Sequence, residues 1–184
     1  MAGRRARFAL VYGTAALVAA ADQLTKWLVV GHLAGRPPVR LLGSFVELRY
    51  TTNSGGAFSV LTGAPLFFAL TAILVIGAIV WSARRPHRGA ILACLGLLLG
   101  GALGNLADRA LRGGAPLRGE VVDFIAVWRW PVFNLADSCI TVGVLLLAVL
   151  LSRAEGERPN QVPQDPGEGG EAGRAASPRP TGPR

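Results

Sequence analysis

The chain is poor in the residues that build disulfide scaffolds and metal centres. It has two cysteines, Cys94 and Cys139, and both fall inside long apolar runs. That excludes a cystine framework and leaves no ligand-spaced cluster for a metal. Lysine is almost missing, with Lys26 its single instance. Between Pro65 and Trp81 there is no ionisable side chain at all, so that stretch is packing material for a non-aqueous setting.

What the chain has instead is apolar length. Hydrophobic residues make up 51% of its 184 positions, and four stretches approach the roughly 20 residues needed to cross a bilayer. They run from Phe8 to Val30, Pro65 to Trp81, Ala90 to Leu106 and Val132 to Leu151. The expected fold class is an all-α membrane protein, a four-transmembrane-helix bundle. A net charge of +8 would suggest a nucleic-acid partner in a soluble protein. Here the basic residues gather at the ends of the apolar runs, where they set orientation, so no nucleic acid is expected.

Arg4, Arg5 and Arg7 precede the first span, and Arg84, Arg85 and Arg88 crowd the short second connection. Both segments are expected in the cytoplasm. Residues 1–7 then form a cytoplasmic N-terminus and 8–151 the four-span domain, with outer loops 31–64 and 107–131. Residues 152–184, rich in glycine and proline with five basic and five acidic side chains, read as a disordered cytoplasmic tail. Arg4-Arg5, an apolar run and Ala19-Ala20-Ala21 imitate a cleavable signal, but apolar character resumes at Leu24, Trp27 and Leu28, so the first span is expected to be retained.

Polar residues inside the spans are the functional candidates, because intramembrane charge is expensive to keep. Asp22, Thr25 and Lys26 share a helical face at i, i+3 and i+4. Gly96, Gly100 and Gly104 recur every fourth residue of the third span, the pattern that lets helices approach closely in lipid. Asn105, Asp108 and Arg109 follow on one face where that pattern ends, read either as a helix-end ion pair or as a hydrogen-bonded cluster. In the fourth span Asn134, Asp137 and Thr141 share a face, with Pro131 suited to the first helical turn. Between the first two spans, residues 39–52 are rich in β-formers and suggest a small sheet on the outer leaflet. Asn53-Ser54-Gly55-Gly56 ends that segment, and the missing Cβ at Gly55 and Gly56 would let a bound chain approach the backbone, although a plain turn is the commoner use.

The stretch from Gly119 to Cys139 carries two acids in apolar surroundings. Asp123 lies among Val121, Val122, Phe124 and Ile125, and Asp137 opens an apolar run. Two such carboxylates are neutralised, paired or functional. Brought together they would share a proton, which is the chemistry of an aspartic protease.

Five blocks carry a resemblance: DQLTK at Asp22 to Lys26, TTNSGGAF at Thr51 to Phe58, GNLADR at Gly104 to Arg109, VVDF at Val121 to Phe124 and FNLAD at Phe133 to Asp137. In that order they resemble the motifs of the lipoprotein signal peptidases, signal peptidase II, from about Phe8 to Leu151. The resemblance implies a bacterial inner-membrane aspartic endopeptidase with an extracytoplasmic β-cradle. It would remove signal peptides from diacylglyceryl-modified prolipoproteins, cutting before the lipidated cysteine. By it Asp123 and Asp137 are the catalytic pair; Asn53, Gly56, Asn105, Arg109 and Asn134 surround the site or hold substrate, and Asp22, Lys26 and Asp108 are supporting charges. The expected partners are prolipoproteins and membrane lipids, the expected state is a monomer, and neither cofactor nor metal is implied. The connection Ala110 to Glu120 is several residues longer than usual for that family. A proton-coupled carrier and a purely structural membrane subunit are the rivals, but carriers keep such residues near the midplane, whereas these gather at one interface.

Overall fold

The structure, a computed structural model, describes residues 2–55 and 63–156. Gly56 to Phe58 of the glycine-rich block and the tail beyond Gly156 lie outside the described residues. Four helices, α1 (Ala2–Leu33), α2 (Pro65–Ala83), α3 (Gly89–Leu111) and α4 (Leu135–Gly156), alternate in direction, and each is long and apolar enough to cross a bilayer. Three strands, β1 (Val39–Leu42), β2 (Val46–Asn53) and β3 (Val121–Val127), form one antiparallel sheet in the order β1-β2-β3. The sheet sits where α1 and α3 end and where α2 and α4 begin. The first helix starts at Ala2 rather than Phe8, because its basic first turns remain helical beyond the apolar stretch.

The central helix is α3, on which α1, α2 and α4 all pack. Its glycines explain how. A Cβ at Gly96 would stand 2.7 Å from Thr14 Cβ and 2.9 Å from the Val11 carbonyl, and one at Gly100 would stand 2.6 Å from Val18 Cβ. On the opposite side a Cβ at Gly101 would stand 2.6 Å from the Ala136 carbonyl of α4. The helix therefore presents backbone to two neighbours at once, as expected for small-residue packing in lipid. Beside this seam Val11, Ala15, Ile79, Leu92, Leu95 and Leu99 close an apolar core. Trp81 at one end of the bundle, with Arg85 stacked 4.0 Å from its ring centroid, and exposed Trp128 and Trp130 at the other mark the two interfaces.

Two features of the site end depart from the sequence reading. The run 121–127 is a strand, buried on both faces for most of its length, with no polar alternation to announce it. It pairs with β2 so that Thr51 faces Asp123 and Asn53 faces Val121. In the second departure, Pro131 lies outside the fourth helix, which begins at Leu135. The segment before the helix instead runs beside β3: Phe133 and Ile125 exchange main-chain hydrogen bonds of 2.8 and 3.1 Å. That pairing carries Asn134 up against the strand that bears Asp123. The long connection after α3 turns back on itself, with Gly119 N–H donating to the Arg109 carbonyl at 2.9 Å.

Candidate active site

Asn134 caps α4. Its Oδ1 accepts from the Asp137 main-chain N–H at 3.0 Å, while Asp137 Oδ2 accepts from the Asn134 N–H at 3.2 Å. This is a reciprocal capping box, and it fixes Asp137 in the first helical turn, where the helix N-terminus favours negative charge. The Asn134 amide nitrogen, pointing the other way, donates to Asp123 Oδ1 at 2.7 Å and to Asn105 Oδ1 at 3.1 Å. One fully buried asparagine thus joins the two aspartates.

Each carboxylate receives a further amide. Asn105 Nδ2 donates to Asp137 Oδ1 at 2.8 Å, and Asn53 Nδ2 donates to Asp123 Oδ2 at 3.0 Å. Asn53 is diagonal to Asp123 across the β2–β3 ladder, on the same side of the sheet. Its Oδ1 accepts the Gly55 N–H at 2.9 Å, so the side chain both tightens the turn after β2 and grips an acid. Asp123 is 2% exposed. Burial, reinforced by the negative charge of Asp137, raises its pKa to about 6, against the opposing pull of the Asn53 and Asn134 amides and the Lys26 charge.

Both acids line a cavity of about 670 Å³. Asn53, Gly55, Asn105 and Arg109 supply its polar wall; Phe68 of α2, the segment Trp130 to Phe133, and Ile140 and Val142 of α4 supply the apolar one. The buried Arg109 reaches across with Nη2 donating to the Gly55 carbonyl at 3.3 Å, and its Nε has no partner among the described residues.

Behind the cavity, Lys26 stands with 0% exposure between two buried carboxylates, 2.8 Å from Asp22 Oδ2 and 2.8 Å from Asp108 Oδ2. The Asp22–Lys26 pair expected within α1 is therefore shared with α3. Asp108 does not pair with its neighbour Arg109, as one sequence reading allowed; it takes Lys26 and, at 2.8 Å, Arg112. In a helix, residues i and i+1 point to different faces, whereas i and i+4 meet. Gly104 makes room for this cluster: a Cβ there would stand 2.5 Å from Asp22 Oδ2.

The structure thus brings Asn53, Asn105, Arg109, Asp123, Asn134 and Asp137 to one cavity and sets Asp22, Lys26 and Asp108 directly behind it; Gly56 lies outside the described residues. Two members of the cluster were not singled out from sequence. Gln23 Nε2 donates to the Gly104 carbonyl at 3.0 Å and to Asp108 Oδ1 at 3.1 Å, and its signal was an amide within an apolar run. Arg112 was signalled by standing four residues after Asp108.

Comparison with known proteins bears on this arrangement. Residues 14–153 match the family described as Signal peptidase (SPase) II. The chain is 44% identical over 144 residues to a lipoprotein signal peptidase of Mycobacterium leprae, covering 78% of this chain and 72% of that protein. It is 45% identical over 141 residues to one from Rhodococcus jostii, covering 77% and 71%. A bacterial membrane enzyme solved by the in meso method at 2.3 Å resolution superposes with a TM-score of 0.67 at 30% identity, over 81% of this chain and 92% of that one. With the family match running over residues 14–153, which hold all five motif blocks and the whole sheet, the chain belongs to the signal peptidase II family.

Proposed function

We propose that this protein removes signal peptides from diacylglyceryl-modified prolipoproteins, cleaving before the lipidated cysteine with Asp123 and Asp137 as an aspartic catalytic pair. The observation that carries the mechanism is the meeting of two carboxylates from a strand and a helix in one cavity, each held by amide donors and bridged by Asn134. Charge balance supports one shared proton. The cluster contains four acids, Asp22, Asp108, Asp123 and Asp137, against three cations, Lys26, Arg109 and Arg112. A single proton on the pair makes this set neutral, as a membrane-embedded site favours.

Asp137, held in the capping box at the start of α4, is the member assigned to draw a proton from water. Asp123, with its pKa raised to about 6, carries the proton, polarises the scissile carbonyl and protonates the leaving amine. The two still titrate as one unit. Arg109 and Asn53 line the cavity beside the pair, where they can hold an extended peptide backbone.

The substrate assignment draws on the family and on the cavity's second wall. Val142, which lines the cavity, is 48% exposed on the lipid-facing surface of α4. Acyl chains can therefore stay in the bilayer while the peptide reaches the acids. The arginines in the short connection after α2 support a reading in which that end of the bundle faces the cytoplasm and the cavity the outer side. The test is a gel-shift assay of the purified protein on a diacylglyceryl-modified prolipoprotein and on the same protein without lipid. Cleavage of the lipidated form alone is expected. Equal cleavage of both would remove the lipid from the recognition account.

A further inference from the structure

The Lys26 ammonium has three N–H donors and three acceptors around it: Asp22 Oδ2 at 2.8 Å, Asp108 Oδ2 at 2.8 Å and Asn105 Oδ1 at 2.9 Å. With 0% exposure, it donates to the protein alone. Each acceptor has a second task. Asp22 Oδ1 accepts the main-chain N–H of Ala136 at 2.9 Å, and Ala136 immediately precedes Asp137. Asp108 Oδ2 accepts the main-chain N–H of Val122 at 3.1 Å, and Val122 immediately precedes Asp123. Asn105 donates from Nδ2 to Asp137 Oδ1 at 2.8 Å.

The orientation of the Asn105 amide follows from Lys26. An ammonium can only donate, so the amide must turn its oxygen toward it. The Asn134 amide nitrogen points at the same oxygen. The Asn105 nitrogen is left to face Asp137; reversed, its carbonyl would confront a carboxylate. A lysine that merely joined α1 to α3 would need one carboxylate. This one binds two, and Arg112 and Gln23 attend to the remaining oxygen of Asp108.

We propose that Lys26 is a positioning residue for the catalytic pair, holding the backbone before each aspartate through Asp22 and Asp108 and aiming the Asn105 amide at Asp137. This rests on the aspartic reading of the site. Lys26 touches neither the cavity nor a substrate in it, so its loss should act on turnover rather than on binding.

The experiment compares Lys26→Met, Asp123→Asn, Asp137→Asn and the triple variant Asp22→Asn/Lys26→Met/Asp108→Asn with the unaltered enzyme in detergent, on a lipidated prolipoprotein. Removing the lysine alone strands two buried carboxylates. The triple variant removes the lysine together with both of its carboxylates, so that no buried partner of Lys26 is left charged and unpaired; it leaves the part-exposed Arg112 to solvent and amide oxygens to accept the Ala136 and Val122 N–H groups. The expected result, in the triple variant and in Lys26→Met where it is monodisperse, is a fall in kcat of about a hundredfold, the scale of a small misplacement of reacting groups, with KM changed less than about threefold. A folded triple variant with unaltered kcat, or with a raised KM and unaltered kcat, overturns the positioning role. So does a triple variant that fails to fold, which would make the cluster structural. If Asp123→Asn or Asp137→Asn still turns over, the catalytic pair itself falls and the Lys26 role falls with it. If both are inactive while the triple variant behaves as the unaltered enzyme, the Lys26 proposal alone is lost.

Discussion

At Gly100 the third helix admits Val18 and the Ala15 carbonyl of α1; at Gly104, four residues on, the same face admits the Asp22 carboxylate. The steric device is shared, but what it protects differs. Along Gly96 and Gly100 the neighbours are the carbon atoms of Thr14 and Val18 and main-chain carbonyls, and small losses of fit can be absorbed by shifts that cost about 1–3 kcal/mol. At and beyond Gly104 the neighbours include Asp22, Lys26, Asn134 and Asp137, charged or amide groups bonded to one another, and such a network loses far more when one member moves. The apolar half gives the bundle its spacing, and the polar half uses that spacing to hold two acids that would otherwise be unaffordable in lipid.

The largest expected effect lies wholly in the polar half. Asp123→Asn and Asp137→Asn each keep size and polarity but cannot cycle a proton, so each should lower turnover by about a thousandfold or more. Melting in detergent should stay within a few degrees of the unaltered protein. Substantial turnover in either, measured by the gel shift of a lipidated prolipoprotein, would break the contrast by showing that the acids are structural.

A smaller and more discriminating effect separates the two glycines. Gly104→Ala forces the Asp22 carboxylate off its site and with it the hold on the Ala136 N–H. Activity should fall by about ten- to a hundredfold, the scale of a misplaced catalytic group. Gly100→Ala pushes α1 from α3 through apolar contacts instead, so it should lower the melting temperature by several degrees, about 1–3 kcal/mol. The protein that remains folded should cleave nearly normally. Kinetics and melting of the two variants side by side would sharpen the comparison, and identical behaviour would erase it.

This contrast also accounts for what could be read from the chain. Four spans, the glycine repeat and the polar faces at 105–109 and 134–141 follow from helical period, and those residues do meet in the structure. Strand β3 was hidden because both its faces are covered, so its apolar run shows no alternation. Local preference puts the start of α4 at Pro131, whereas the pairing of Phe133 with Ile125 keeps the chain extended until Asn134. No periodicity encodes that pairing, since it joins a segment to a strand through main-chain groups alone. From sequence alone Asn53 suits either substrate holding or a turn; in the structure its side chain reaches the turn and Asp123 together.

The central claim is that Asp123 and Asp137 work as one proton-sharing pair, and the pH dependence of kcat/KM tests it most directly. With the proton residing at Asp123, whose pKa is raised to about 6, efficiency should decline on the alkaline side as that proton is lost, with a midpoint near that value. Asn53→Ala removes an N–H that favours the ionised form of Asp123, so the midpoint should move to higher pH while efficiency at the optimum drops by about tenfold. A profile that is flat on the alkaline side, or one whose midpoint stays put or moves down in Asn53→Ala, would contradict the assignment of the shared proton to Asp123.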